Sequence, residues 1–132
     1  MPTISAIHHI ALTVSDLERS VAWYTEVLGL TNLTNEMHPD GSGHAVVLGT
    51  CDWSLCVGLH THTTNDGEAF AERRTGLDHV SFLVPSRAEF DAWQARLAEL
   101  GVPRSAVADR DGYSVLVFRD PDNIQLELIT LD

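Results

Sequence analysis

Alternating apolar and polar positions mark two short stretches, residues 7–14 and 77–84, which lie about 70 residues apart. Period-two alternation is typical of β-strands, because successive side chains of a strand point to opposite faces of the sheet. A helix pattern follows each stretch. On the matching faces the first strand would carry His9 and the second would carry His79. The repetition predicts two copies of one unit that bring these two histidines together.

Both predicted helices begin with a capping box, in which a serine is followed three residues later by a glutamate. The pairs are Ser15 with Glu18 and Ser86 with Glu89. Apolar residues at helical spacing follow each pair, and a glycine ends each helix. The apolar stripes consist of Leu17, Val21, Tyr24 and Leu28 in the first helix and Phe90, Trp93, Leu97 and Leu100 in the second.

Three further strands are predicted after each helix, which gives the order βαβββ twice and an α+β fold class. They are expected at about residues 30–36, 44–48 and 53–60, and at about 105–108, 113–118 and 124–130. Residues 62–76 are polar and contain a turn signal, which favours a linker. We therefore predict a first module at residues 1–61 and a second at residues 77–132.

Strand alternation also predicts which side chains lie on the uncovered faces. We align the last strand with residues 53–60, so that Glu127 and Cys56 occupy the same position of the repeat. The covered faces are then almost wholly apolar, whereas the uncovered faces carry small and polar residues. Those residues are Ser81, Ser54, Cys56, Gly58, His60, Gln125 and Glu127. This composition favours a cup around a ligand over a plain solvated surface.

His9, His79 and Glu127 would bring two imidazoles and one carboxylate from three strands to one concave face. This set suits a divalent transition metal (Fe, Mn, Co, Ni or Zn) and leaves positions open for substrate. For each of these residues considered alone, the alternative to a metal ligand is an ordinary structural role. His8 falls on the apolar face, so His9 is the expected ligand. Cys56 is either a thiolate ligand or a small buried residue, and we favour the second.

Composition narrows the partners and the compartment. The 132 residues carry 19 acidic and 8 basic groups, and the net charge of −11 disfavours nucleic acid and anionic membranes. No apolar run approaches the roughly 20 residues of a membrane span, and no signal peptide opens the chain. We therefore expect a cytoplasmic protein. Two cysteines, Cys51 and Cys56, favour neither a disulfide framework nor a zinc knuckle.

Three segments resemble the vicinal oxygen chelate superfamily, which includes glyoxalase I, bleomycin-resistance proteins, fosfomycin-modifying enzymes and extradiol dioxygenases. The first joins His9 to residues 16–20 and 23–30, the second is residues 76–80, and the third is residues 118–127. The resemblance implies paired βαβββ modules, a cup-shaped mixed sheet with helices on its outer face, and a metal held by the histidines and the glutamate. It also implies a small-molecule substrate and a homodimer.

The reaction is less well defined by this resemblance. Glyoxalase I typically has a second glutamate at the position of Cys56, fosfomycin transferases a threonine at Ala11, and extradiol dioxygenases a tyrosine at Val117. We expect a metal-dependent lyase, isomerase or related enzyme that acts on a small oxygenated molecule chelated to the metal. The alternatives are a metal-free ligand-sequestering protein of the bleomycin-resistance type and a ring-cleaving dioxygenase.

In such an enzyme the metal would act as a Lewis acid that stabilises an enolate or similar oxyanion. His60 is the candidate proton shuttle, because imidazole titrates near neutrality and His60 shares a face with Cys56. A solvated histidine at a strand end is an equal alternative for His60. The expected pocket residues are Cys56, Ser54, Ser81 and Gln125, with Tyr113 and Arg110 as candidates for orienting the substrate.

Overall fold

The computed structural model describes residues 1–131, and the chain divides into two compact units, Met1–Glu68 and Ala69–Asp132. Each unit holds one four-stranded sheet and one helix in the order βαβββ, which confirms the predicted α+β class and the repeated module. Neither helix of the described residues is long and apolar enough to cross a membrane.

The first unit has its strands in the order β1-β4-β3-β2. Its elements are β1 (Ile10–Thr13), α1 (Leu17–Leu28), β2 (Thr31–Met37), β3 (Gly43–Gly49) and β4 (Cys56–His62). The outer strand β1 is parallel to β4, and the other neighbours are antiparallel. α1 covers one face of this sheet, where Tyr24 and Leu59 are fully buried. Burying each such side chain contributes about 1.5–3 kcal/mol to folding.

The second unit repeats this plan with the strand order β5-β8-β7-β6. Its elements are β5 (Val80–Val84), α2 (Arg87–Glu99), β6 (Ala108–Arg110), β7 (Tyr113–Arg119) and β8 (Gln125–Leu131). β5 is parallel to β8, and α2 buries Phe90 and Leu97 while it contacts these two strands. Leu126 and Leu128 lie on the buried face of β8, as predicted.

The helix starts agree with the sequence in one unit and differ in the other. Ser86 caps α2, because its side chain accepts a hydrogen bond from the backbone N–H of Glu89, which confirms the prediction. In α1 the cap is Asp16, whose side chain accepts from the N–H of Arg19 at 3.0 Å. The prediction of Ser15 as the cap is therefore wrong by one residue. Asp16 is the residue with extended backbone before the helix, which is the geometry that a cap requires.

The strand expected from Trp53 starts later, because a tight turn occupies residues 50–55. Oδ1 of Asp52 accepts hydrogen bonds from Thr50 and Ser54, and these bonds lower the pKa of Asp52 to about 2. Trp53 takes a left-handed conformation at φ 62°. The pairing of β4 consequently begins at Cys56. Ser54 lies in the turn, and its predicted place on the sheet face is wrong.

Two other predicted boundaries also shift. The strand expected at 105–108 is β6 at Ala108–Arg110, because Ser105 instead bonds to Val117 through both its backbone N–H and its side-chain oxygen. Part of the expected linker lies within the second unit. The N–H of Phe70 donates to the carbonyl of Asp122, and Glu72 accepts hydrogen bonds from Arg119.

Candidate metal centre

Two of the three predicted ligands belong to the second unit, one directly before β5 and the other in the neighbouring strand β8. His79 immediately precedes β5, and Glu127 lies in β8, which is hydrogen-bonded to β5. The register pairs Ser81 with Glu127, and the Ser81 hydroxyl donates to Oε1 of Glu127 at 2.6 Å. Neighbouring strands are about 4.8 Å apart, so these residues meet across one strand spacing. Glu127 is half-buried on the face opposite the leucines of β8, as the alternation predicts.

A chain of hydrogen bonds supports His79. Its Nδ1 lies 2.7 Å from Oδ1 of Asp78, which also accepts from Gln125 at 3.1 Å. Oε1 of Gln125 accepts from Arg119, and Arg119 donates to both carboxylate oxygens of Glu72 at 2.9 Å. These bonds hold the pKa of Glu72 at about 2. Strand alternation predicts Gln125 on this face but does not indicate Arg119 or Glu72. For Asp78, the signal in the sequence is its position directly before the candidate ligand His79.

His9 lies in the first unit, directly before β1, and its side chain is exposed. The first strand begins at Ile10 and not at Ile7, so His9 stands at the entry to the strand. Its Nδ1 lies 2.9 Å from Nδ1 of His8, with the two rings edge to face. His9 therefore has an imidazole neighbour where His79 has a carboxylate.

The donor chemistry of the second unit suits a divalent metal. The bond to Asp78 uses Nδ1 of His79 and leaves Nε2, and the bond from Ser81 uses one oxygen of Glu127 and leaves the other. Within residues 1–131, however, no group of three or more His, Cys, Asp or Glu side chains is arranged to hold a metal ion. The part of the chain that the structure describes therefore does not present the predicted three-ligand set as an assembled site.

The sheet registers correct the alignment of the two halves. Ala11 pairs with Gly58 in the first sheet, and Ser81 pairs with Glu127 in the second. Ala11 and Ser81 occupy the same place in the repeat, so the counterpart of Glu127 is Gly58. The predicted alignment with Cys56 is wrong by two residues, because the turn before β4 delays the start of pairing.

Cys56 is buried, and its thiol donates to the carbonyl oxygen of Trp53 at 3.5 Å. Both observations agree with the small buried residue that the sequence favoured over a thiolate ligand.

His60 lies in β4, two residues beyond Gly58, and is half-buried. Its Nδ1 lies 2.9 Å from Nε2 of His38, and the His38 ring also lies against that of His62. Burial lowers the pKa of His60, and the neighbouring His38 and His62 lower it further. The lowered pKa favours the neutral ring of His60, which is the form that accepts a proton. The seven histidines of the sequence were the only signal for this cluster.

The remaining predicted pocket residues divide between the two ends of the second sheet. Ser81 and Gln125 lie beside Glu127 and His79. Tyr113 is on the same face, because Val117 pairs with Glu127, but it is four residues further along β7. At about 3.3 Å per residue, this separates it from Val117 by roughly 13 Å. Arg110 pairs with Tyr113, so both lie away from Glu127 in the unit that holds them.

The first unit also has an open groove of about 870 Å³ between α1 and strands β2 and β3. Its lining includes Leu17, Val21, Met37 and Val46. None of the predicted metal ligands lines it.

Comparison with known proteins identifies the class to which this fold and these residues belong. Residues 6–128 match the model of the Glyoxalase/Bleomycin resistance protein/Dioxygenase superfamily. The chain belongs to this family, as the resemblance of its motifs implied.

Individual relatives carry different activities in their names. A lactoylglutathione lyase of Escherichia coli O157:H7 is 30% identical over 92% of this chain and 89% of its own length. The putative ring-cleaving dioxygenase MhqA of Bacillus subtilis is 28% identical over 92% of this chain, which spans only 38% of that relative. A crystal structure of a glyoxylase/bleomycin resistance protein/dioxygenase domain from Frankia sp. EAN1pec has a TM-score of 0.88 and 32% identity, over 98% of this chain and 94% of that one.

Proposed function

We propose that this protein is a divalent-metal-dependent enzyme in which His9, His79 and Glu127 bind the metal and a small oxygenated substrate takes the remaining positions. The observation that carries the proposal is the pairing of β5 with β8, which sets Glu127 opposite Ser81, two residues after His79. Each of these side chains is oriented by a hydrogen bond that leaves one donor atom for a metal. Structural residues with no further role would have no need for that arrangement.

A divalent metal in such a site supplies Lewis-acid chemistry, which favours lyase or isomerase reactions through an oxyanion. The protein residues orient the ligands and move the proton. Asp78 orients the ring of His79, and Ser81 orients the carboxylate of Glu127. His60 would take the substrate proton at Nε2, since its Nδ1 is already engaged with His38.

Ring cleavage is the second candidate, and the similarity to the Bacillus subtilis protein named as a putative ring-cleaving dioxygenase favours it. The same two histidines and one glutamate would serve that chemistry with iron, because this ligand set leaves adjacent positions open for substrate and oxygen. The two candidates share the ligands and differ in the metal and the substrate.

Metal content is the first test. The purified protein, loaded with Co²⁺ and freed of excess metal, should retain one ion per site, and His9→Ala, His79→Ala and Glu127→Gln should each lose it. His44→Ala is the control, because His44 is an exposed histidine of β3. Absence of stoichiometric metal in the unmutated protein, or its retention in all three variants, would reject the metal site and favour a metal-free ligand-sequestering protein.

Substrate tests then separate the two reactions. Protein loaded with Co²⁺, Ni²⁺, Mn²⁺ or Zn²⁺ is assayed with the hemithioacetal of methylglyoxal and glutathione, and Fe²⁺-loaded protein with catechol and oxygen. A rise in ultraviolet absorbance from the thioester product supports the lyase, and a yellow ring-opened product supports the dioxygenase. If neither product forms with any of the metals, both substrate classes are excluded.

We also propose that the protein is a homodimer, as the family resemblance implies, with the ligands supplied by one chain or by two copies. Light scattering coupled to size-exclusion chromatography should give twice the 14.5 kDa mass of one chain. A monomer that retains stoichiometric metal would show that one chain supplies all the ligands.

A further inference from the structure

We infer that the groove between α1 and strands β2 and β3 binds a small organic cation with an apolar body, such as a long-chain amine. Residues of the first unit alone form the groove, and its volume is about 870 Å³. Small-molecule sites typically measure about 300–1,000 Å³ and are mainly apolar with a few polar groups. None of the predicted metal ligands lines the groove, so the inference goes beyond the proposed function and does not depend on it.

The first step is a comparison of the two units at this place. Leu17 and Arg87 are the first residues of α1 and α2 and are equivalent in the repeat. The strand positions follow from the sheet registers, in which Val46 and Leu116 are equivalent and the next pair lies two residues earlier. Three lining positions of the groove thus have counterparts in the second unit. They are Leu17 with Arg87, Met37 with Asp109, and His44 with Ser114.

In the second unit, these positions carry an ion-paired network. Nη1 of Arg87 donates to Oδ1 of Asp109 at 2.8 Å, and the Ser114 hydroxyl donates to the same oxygen at 2.6 Å. The guanidinium of Arg87 also lies over the ring of Phe90, 5.8 Å from its centroid. The network therefore links the first turn of α2 to strands β6 and β7.

In the first unit, the equivalent positions are apolar where the second unit has its ion pair. Leu17 and Met37 cannot form an ion pair between the helix and the strands, and Met37 is 73% exposed. Val21 of α1 and Val46 of β3 are half-buried and add to the apolar lining. Contiguous exposed apolar surface is typical of binding sites, and the flexible side chain of methionine adapts to differently shaped ligands. The groove therefore offers an apolar contact surface.

The charge of the lining indicates the kind of ligand. Glu18, Glu26 and Glu36 line the groove, whereas no lysine or arginine among residues 1–131 does. Glu18 and Glu26 are exposed and lie about 12 Å apart along the axis of α1. Carboxylates around a groove attract cations and repel anions. A second copy of this chain, with its net charge of −11, is a poor occupant for the same reason. The expected ligand is therefore apolar with a cationic group.

Methionine methyl NMR tests the site directly. The chain has two methionines, Met1 and Met37, so ¹³C-methyl labelling gives one signal in the groove and one reference signal. The probe is decyltrimethylammonium below its critical micelle concentration. We expect the probe to shift the Met37 signal until one equivalent is bound and to leave the Met1 signal in place. Equal shifts of both signals, or no shift of Met37, would overturn the inference.

Isothermal titration tests the preference for a cation. Decyltrimethylammonium should bind at least about tenfold more tightly than decyl sulfate, which has the same apolar chain and the opposite charge. The double variant Glu18→Gln, Glu26→Gln should bind the cation at least about threefold more weakly and uncharged decyl maltoside as before. Equal affinities for the two charged probes, or an unchanged cation affinity in the double variant, would overturn the inference.

A second double variant copies the ion pair of the second unit into the groove without a change in net charge. Leu17→Arg with Met37→Asp should weaken binding of decyltrimethylammonium at least about tenfold, because charged side chains replace the apolar contacts. The control is Leu83→Gln, which removes another exposed apolar side chain and should leave the affinity unchanged. Thermal unfolding shows that each variant folds. Undiminished binding in the double variant, or an equal loss in the control, would overturn the inference.

The same labelled protein tests a second copy of the chain as the alternative occupant. If two copies met at the groove, the Met37 signal of the probe-free protein would shift with protein concentration, and decyltrimethylammonium would lower the mass measured by light scattering. That result would overturn the inference. A Met37 signal that is independent of protein concentration supports it.

Discussion

Oδ1 of Asp78 lies 2.7 Å from Nδ1 of His79 and also accepts a hydrogen bond from Gln125 at 3.1 Å. A carboxylate accepts and does not donate, so the proton of a neutral His79 ring resides on Nδ1 and the lone pair on Nε2. The ring is thereby set in one tautomer and one orientation before any ligand arrives. The polar residues around a candidate ligand thus determine which of its atoms is available to a metal.

Removal of this carboxylate should weaken metal binding while the fold stays intact. Asp78→Ala should reduce Co²⁺ affinity by about 10- to 100-fold, because His79 loses the partner that fixes its tautomer. Isothermal titration measures the affinity. The control is Asp91→Ala, which removes an exposed carboxylate paired with Arg87 in α2. Equal affinity in the Asp78 and Asp91 variants would contradict the orienting role.

The hydroxyl of Ser81 should matter in the same way for Glu127. Ser81→Ala removes the 2.6 Å hydrogen bond to Oε1, and hydrogen bonds to charged groups contribute about 1.5–3 kcal/mol. We expect roughly tenfold weaker Co²⁺ binding and a shift in the carboxylate stretching band in difference infrared spectra. Ser81→Thr keeps the hydroxyl and should remain close to the unmutated protein. Equal loss in both variants would show that packing, not the hydrogen bond, is responsible.

The ion pair between Arg119 and Glu72 should be visible as a pH effect. Hydrogen bonds from Arg119 lower the pKa of Glu72 to about 2 from its usual 4.5. Because the pKa is lowered on folding, the pair stabilises the fold above pH 4.5, and this contribution is lost as the pH falls from 4.5 to 2.

Arg119→Lys removes the bidentate contact, so the pKa of Glu72 should rise toward 4.5. Carboxyl ¹³C NMR follows this titration. Arg96→Lys in α2 is the control and should leave the Glu72 titration at about 2. An unchanged Glu72 titration in Arg119→Lys would show that charge alone suffices.

Substitution of Gly49, at the end of β3, by alanine should destabilise the fold. A Cβ at this position would lie 2.0 Å from the carbonyl oxygen of Leu55, which is backbone and cannot rotate away. Gly49→Ala should therefore lower the free energy of unfolding by about 3 kcal/mol in urea titrations. Gly67→Ala has open space around it and a φ of 74°, so it should cost only about 1 kcal/mol. Equal losses would show that the approach of Leu55 relaxes easily.

The parts of this protein that the sequence predicts well are those with strict periodicity. The apolar alternation of β8 places Leu126 and Leu128 on the covered face and Glu127 on the other, and the structure agrees. The turn at residues 50–55 shows the limit. The alternating sequence pattern predicts a strand from Trp53, but hydrogen bonds from Thr50 and Ser54 to Asp52 form a turn there instead. The register of β4 therefore shifts by two residues.

The surroundings of the site are harder to predict because they join residues far apart in the chain. Glu72 and Arg119 are separated by 47 residues, and so are Asp78 and Gln125. Tyr113 was a candidate for orienting the substrate, yet the register of β7 with β8 places it four residues along the strand from Val117, the partner of Glu127. Periodicity therefore predicts faces, whereas hydrogen-bond partners require the three-dimensional pairing of strands.

The shared register of the two sheets has an evolutionary consequence. After duplication, each backbone position exists twice, and one copy can change its donor atom while the other preserves the original chemistry. Gly58 and Glu127 occupy equivalent places in the two sheets, and only Glu127 has a side-chain donor atom. New specificity can therefore arise in one half by single substitutions, without any need to invent a second fold.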